Sequence, residues 1–179
     1  GVLMELGDQT DLRRLIDRLE RVFELIGQPV AKADQYHHPK WALREAQKAL
    51  EGFAKRGVVL VEAPESNAEY LAFVAKSFVN TNNRVVGTIP HLLAALKHPV
   101  PLVREIAVRR VQGGIAKSLE RAMIELMPDP DRDVRRAACE IVNNAGFGGV
   151  HAAALQAIRI SDDHWTMWMA MEAAVHDGG

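Results

Sequence analysis

An all-α fold built of stacked helical hairpins is predicted by three observations. Apolar residues recur at three-and-four spacing along most of the chain, almost no segment alternates apolar and polar residues over the length of a strand, and one motif returns at a regular interval. The first two assign the chain to helices that each bury one stripe. The third sets their arrangement. Val103-Arg104 returns as Val134-Arg135, and one period further on Asp131 and Ala138 return as Asp163 and Ala170. Further back, His38-Pro39 with Leu43-Arg44-Glu45 matches His98-Pro99 with Val103-Arg104-Glu105 across two such periods. A period of roughly 30 residues holds two short helices and their turns, and a pair that small buries its apolar stripe only by stacking on its neighbours.

The elements follow in order. From Asp11 to Ile26, Leu12, Leu15, Ile16, Leu19, Val22, Phe23 and Ile26 lie on one stripe; Thr10 or Asp8 is placed to cap the start, Asp17 and Arg21 are spaced to pair, and Gly27 suits the stop. After an unpatterned connection carrying Tyr36, His37 and His38, a second helix is expected from about Lys40 to Arg56 on Leu43, Ala46, Leu50 and Phe53. Gly57 to Glu65 is expected to be irregular, although Val58-Val59-Leu60-Val61 has strand character. Asn67 to Val79 is helical on Tyr70, Leu71, Phe73, Val74 and Phe78, and the polar cluster Asn80 to Arg84 ends it. Helices are then expected near 86–97, 101–112, 115–127, 132–144, 149–160 and 164–176. They are separated by His98-Pro99, Gly113-Gly114, Pro128 to Asp131, Gly146 to Gly149 and Ser161 to Asp163. Proline lacks the donor a helix interior needs, and glycine accepts the left-handed terminating turn.

Composition narrows the function classes. With 22 basic against 23 acidic side chains the chain has no electrostatic footprint of a non-specific nucleic-acid binder. A single cysteine, Cys139, excludes an internal disulfide framework and a multi-cysteine zinc site, so a cytoplasmic location is the expectation. No window approaches the roughly 18 apolar residues of a membrane span, and no membrane partner is expected.

The segment Asp129-Pro130-Asp131-Arg132-Asp133-Val134-Arg135-Arg136-Ala137-Ala138 resembles the second-helix signature of HEAT repeats, particularly the short bacterial variety. Asp131 would cap the helix, Val134, Ala137, Ala138 and Ile141 would face the first helix of the hairpin, and the small alanines would allow close approach. The resemblance implies that Arg135 hydrogen-bonds across to acidic groups of a neighbouring repeat, with Arg104 and Arg44 as its counterparts. In their repeats Val100 and Lys40 replace the capping aspartate, and Pro101 supports the first turn of one of them. The match is closest over 86–145, looser over 146–176 and weak before 66. It implies a right-handed α-solenoid of four to five HEAT-like hairpins over 1–179, less regular through 65 and regular from 66.

In that geometry second helices line a concave groove. The outward stripe of the best repeat is Arg136, Glu140 and Asn143; one period back it is Glu105, Arg109 and Gln112, and one period on it is Trp168, Glu172 and Val175. A mixed-charge groove anchored by Trp168 is the expected binding surface, since aromatic and arginine side chains tend to dominate binding energy. The last helix adds a second feature. Trp165, Met167, Trp168, Met169, Ala170 and Met171 make it apolar nearly all round, and Met167 stands where the repeat has arginine. That places apolar surface at the end of the stack, to be covered by other parts of the chain, a partner, or another subunit in a homo-oligomer.

Other constellations are weaker. His37-His38 beside Asp34 and Tyr36 lacks any supporting metal motif, and adjacent loop histidines rarely converge on one ion. Gly146-Phe147-Gly148-Gly149 precedes a helix but lacks the strand and Lys-Ser/Thr of a phosphate loop, so a helix terminator is expected. Cys139 sits among small residues with no histidine motif nearby. Asp163 matches the capping aspartate of the repeat rather than a catalytic acid. No catalytic, cofactor-binding or metal-binding residue is therefore expected. The predicted function is a non-catalytic protein-interaction or assembly scaffold, with partner-binding residues Glu105, Arg109, Gln112, Arg136, Glu140, Asn143, Trp165, Trp168 and Glu172. Two alternatives follow from family analogy alone. One is a HEAT-like DNA glycosylase using Asp162 with Trp165 and Trp168, and the other is a lyase or chaperone-type subunit for a chromophore protein.

Overall fold

The computed structural model describes residues 9–26, 39–56, 64–79, 89–111 and 117–177, and among these every regular element is an α-helix. The loop histidines His37 and His38, Val58 to Val61, Asn80 to Arg84, Gln112 and Gly113-Gly114 lie outside the described residues. The chain divides into two compact units, Gly1–Arg84 and Val85–Gly179.

The first unit holds α1 (Gln9–Ile26), α2 (Pro39–Lys55) and α3 (Asn67–Val79), each packed on the other two. The helical stripe of α1 buries Leu12, Ile16, Leu19 and Phe23, which meet a core completed by Leu43, Leu50 and Phe53 of α2 and Leu71, Phe73 and Val74 of α3. Helix α1 begins before Thr10, so that residue sits inside its first turn, and Asp17 meets Arg13 at 3.5 Å. The start of α3 is capped from near and far. The Ser66 hydroxyl accepts the Glu69 N–H at 3.3 Å, and the Glu20 carboxylate of α1 accepts the Ala68 N–H at 3.0 Å. A side chain of α1 thus satisfies a donor that α3 leaves open, fixing the two helices together.

The second unit holds α4 (Ile89–Leu96), α5 (Pro101–Arg110), α6 (Glu120–Leu126), α7 (Arg132–Ala145), α8 (His151–Ile160) and α9 (His164–His176). Helices α4 and α5, α6 and α7, and α8 and α9 pack as hairpins; in addition α5 packs on α7, and α7 on α9. Second helices therefore contact second helices. Small residues make this possible: Ala107, Ala138 and Ala170, one in each of α5, α7 and α9, are all fully buried.

Local chemistry fixes the ends of these helices. Asp131 starts α7 by accepting the Asp133 and Val134 N–H groups at 3.0 and 3.3 Å. Val100 precedes α5 with no side-chain cap, and Pro101 opens the helix instead. Helix α7 ends on Gly146 at φ 62°, ψ 44°, with the Gly146 N–H donating to the Asn143 carbonyl and the Phe147 N–H to that of Val142. This pair of bonds is the Schellman arrangement, and the buried Phe147 ring supplies its apolar contact. A side chain at Gly146 would be forced into the left-handed region, whereas Gly148 has only an ordinary contact near its Cβ position. Gly146→Ala should therefore cost about 1 kcal/mol in urea unfolding and Gly148→Ala close to nothing.

Candidate functional site

Two sets of side chains in the second unit lie on the second helices: a polar clamp at the turns, and the stripe expected to bind a partner. The clamp is built on Asp129, buried in the turn before α7. Its carboxylate accepts the Asp131 N–H at 2.8 Å and takes both Nε and Nη2 of Arg104 at 2.9 Å each. Arg104 belongs to α5, so this bidentate pair joins one hairpin to the next. The remaining nitrogen, Nη1, donates to the His98 and Pro99 carbonyls at 2.7 and 3.0 Å. One guanidinium thus closes its own turn and grips the following one.

Arg135 repeats half of this pattern. Its Nη1 donates to the Asp129 and Pro130 carbonyls at 2.7 and 3.3 Å, the same offsets that Arg104 uses, while Nε is buried with no hydrogen-bond partner. The resemblance implied that Arg135 reaches an acid of the neighbouring repeat; in the structure Arg104 does so and Arg135 does not. The reason lies one period on, where Ser161 replaces Asp129: its hydroxyl accepts the Asp163 N–H at 3.4 Å but offers no carboxylate. One period back, His98 holds the same place, with Nδ1 accepting the Val100 N–H at 3.2 Å. Arg44, assigned to the same role, is exposed.

The predicted stripe divides between internal bonds and open surface. Glu105 is only 3 % exposed, and its carboxylate takes the Nε of Arg109 at 3.1 Å, leaving Arg109 at the surface. Asn143 of α7 and Glu172 of α9 come together, with Nδ2 donating to Oε2 at 3.0 Å and lying 3.3 Å from the Met169 sulfur. Glu140 is half-buried and Arg136 exposed, while Gln112 lies outside the described residues. Trp165 and Trp168 are 42 % and 43 % exposed, with ring centroids 5.1 Å apart and planes inclined by 49°. Neither is a core residue. Met171 and Val175 of α9 and Leu155 and Ile160 of α8 are exposed as well.

The residues singled out for chemistry are committed elsewhere. Asp163 caps α9, accepting the Thr166 hydroxyl at 2.6 Å and its N–H at 3.3 Å, and Arg132 approaches it at 3.5 Å. The Thr166 hydroxyl bond foremost, with the charges of Arg132 and Arg136, holds this carboxyl below the usual carboxylate range. Burial pushes the Cys139 thiol up to about 12, so it carries almost no thiolate at neutral pH. The N–H groups after Gly148 receive an anion from within the chain. Asp177 accepts from Gly149, from Val150 at 2.8 Å and from His151 at 3.1 Å, and these bonds lower its pKa. Gly148 donates to Glu120 at 3.3 Å. Among the described residues no group of three His, Cys, Asp or Glu side chains is placed to hold a metal ion.

Periodicity gave no sign of the parts played by Asp129 and Asp177. A shift of one period pairs Asp129 with His98 but does not show that Arg104 reaches it.

Loss of the Asp129 carboxylate leaves Arg104 largely buried without its counter-charge. Asp129→Ala should therefore destabilise the chain by about 3 kcal/mol in urea unfolding. His98 supplies a pH test. Burial chiefly, and the Arg104 charge, lower its pKa below the ordinary imidazole value, so the unfolded chain takes up the proton first as pH falls. Its contribution to stability is complete above the unfolded pKa of about 6.5 and is lost as the pH drops below it toward the folded value. His98→Asn, which keeps an acceptor for Val100, should flatten the stability profile measured between about pH 7 and about pH 5.

Compared with known proteins, the chain matches no family model, no curated protein and no solved structure. The clamp, the stripe and the two exposed tryptophans are what a function has to be built from.

Proposed function

We propose that the chain is a non-catalytic protein-interaction or assembly module of HEAT-like hairpins wound as a right-handed solenoid, and that the stripe on its second helices holds another protein. The observation that carries this reading is the exposed Trp165–Trp168 pair, set on a second helix that packs on the neighbouring one. Large aromatic surface left in water costs free energy that a partner recovers, and arginine beside it supplies directed bonds. Arg109 and Arg136 take that second role. Glu105, Asn143 and Glu172 act differently: each already has an internal partner, so each orients the stripe more than it binds. The repeat of second helix on second helix supports the HEAT-like reading, as do the Asp131 cap and the buried alanines of α5, α7 and α9.

The glycosylase alternative needs Asp162 as its acid and a cationic groove for phosphate. Charge balance across the chain supplies no such excess, and phosphate neutralisation dominates that kind of binding. No helix among the described residues is long and apolar enough to cross a membrane.

The test replaces Arg109, Arg136 and Trp168 by alanine together. These positions are exposed, so the helical circular dichroism should be unchanged, while capture of the partner in a pull-down should fall by more than about tenfold. Undiminished capture by the folded variant would sink the groove. A gel shift with duplex DNA at low salt should show no complex, and firm binding would favour the glycosylase; bound colour or a chromophore-bearing partner would favour the lyase-type subunit.

A further inference from the structure

Two successive second helices carry arginine at one repeat position, and the copies differ in what lies opposite the outer edge of the guanidinium. Arg104 and Arg135 each donate Nη1 to the carbonyls six and five residues back, at 2.7 and 3.0 Å from Arg104 and at 2.7 and 3.3 Å from Arg135. A planar guanidinium held at Nη1 by equivalent carbonyls turns its Nε–Nη2 edge the same way in both, toward the turn before the following second helix. For Arg104 that edge meets the Asp129 carboxylate, with both nitrogens at 2.9 Å. For Arg135 the equivalent residue is Ser161. Its hydroxyl accepts the Asp163 N–H at 3.4 Å, as the Asp129 carboxylate accepts that of Asp131, and it brings no acid to the guanidinium.

The edge of Arg135 has the marks of a binding group. Arg135 is 4 % exposed, its Nε is buried with no hydrogen-bond partner, and no ion pair joins it to an acid among the described residues. A guanidinium stays protonated, so burial without a counter-charge is costly. The acids of the two turns are engaged or turned to water. Asp129 is held by Arg104, Asp163 by Thr166 and Arg132, and Asp162 is exposed. Ser161 is half-buried, so the turn opposite the edge reaches the surface. Arg104 shows which group such an edge takes: a carboxylate, two oxygens against two N–H donors in one plane.

We propose that Arg135 and the Ser161 turn form a carboxylate-binding site, whose ligand makes with Nε and Nη2 the bidentate pair that Asp129 makes with Arg104. The site goes beyond the stripe, because Arg135 lies on the buried side of α7 and its ligand does not depend on what the stripe holds. The acid that pairs with Arg104 is a single aspartate side chain, so the matching ligand is a carboxylate on a narrow stem. Formate, acetate and an aspartate side chain of another protein share that chemistry. A ligand as small as formate gains little beyond the paired bonds, which puts its affinity in the millimolar range.

Formate is the probe, and the Nε–H signals of the arginines in proton–nitrogen correlation spectra of the 179-residue chain are the readout. Sodium formate should move the Arg135 signal saturably, while the Arg104 signal, already paired with Asp129, stays in place. Sodium chloride at equal ionic strength should move neither. Ser161→Asp supplies the acid from within the chain. It should set the Arg135 signal near its formate-saturated position, abolish the response to formate and raise the urea midpoint by on the order of 0.5 M. A terminally blocked aspartyl peptide identifies the source: a shift with both probes assigns the site to a protein side chain, and a shift with formate alone assigns it to a small free acid. No saturable movement with formate overturns the site, as does equal movement of Arg104 or with chloride. An undiminished response in folded Ser161→Asp overturns it too, because the edge then faces another turn. Arg109, Arg136 and Trp168 are intact throughout, so failure here is read separately from failure of the stripe.

Discussion

The carboxylate of Asp129 does two jobs at one point in space, and the order of the second unit follows from their coincidence. It ties down the turn that leads into α7 through the Asp131 N–H, and it receives the guanidinium that α5 sends across from the preceding hairpin. Removing two charges from water is expensive, and a pair this buried is sustained only when the remaining donors are also met. Here the His98 and Pro99 carbonyls take the third nitrogen. The register between the first two hairpins of the second unit is thereby set by polar geometry, while buried alanines and valines of their second helices supply apolar surface. Slipping one hairpin against the next would unpair a charge as well as misplace a methyl group.

The same position shows how the repeat wears thin toward its edges. His98, Asp129 and Ser161 each accept the N–H two residues on, so the turn survives every substitution. The inter-hairpin bond is less tolerant, because only a carboxylate accepts a guanidinium on two sides. Arg135, facing the repeat that carries Ser161, keeps its carbonyl bonds and loses the partner for Nε. At the next step the arginine itself is gone, replaced by Met167. The bidentate clamp thus ends before α9, which is linked to α7 instead by the Arg132–Asp163 pair and the Asn143–Glu172 hydrogen bond, and which exposes Trp165, Trp168, Met171 and Val175.

What could be read from the sequence divides along the range of the interaction. Helix α3 and helix α9 have the bounds that their apolar spacing and flanking residues predict, and Asp131 and Gly146 act where their own backbone needs them. Those signals lie within a few residues of their effect. The caps supplied from afar were not legible: Glu20 closes α3 across 48 residues, and Asp177 closes α8 across 26 to 28. The Arg104–Asp129 pair is hidden in the same way, since 25 residues separate its members and nothing local marks Asp129 as an acceptor for both neighbours. The division of the described chain into two compact units was likewise unmarked, because a repeat spacing says which residues are equivalent and not which of them touch.

That distinction also sorts the stripe. Seen as a pattern, Glu105, Arg109, Arg136, Glu140, Asn143, Trp168 and Glu172 are equal members of one outward row. In three dimensions they are unequal, because a carboxylate already bonded to a neighbouring arginine or amide gains less from a partner than a side chain that water alone surrounds. Glu105 and Glu172 are of the first kind. Their bonds hold Arg109 and Asn143 in fixed directions, which lowers the ordering cost a partner has to meet. The tryptophans lie against each other, and each still exposes more than two fifths of its surface. On the proposed reading the held polar groups would set specificity and the rings affinity, so a protein partner would present apolar area opposite α9 and polar groups opposite α5 and α7.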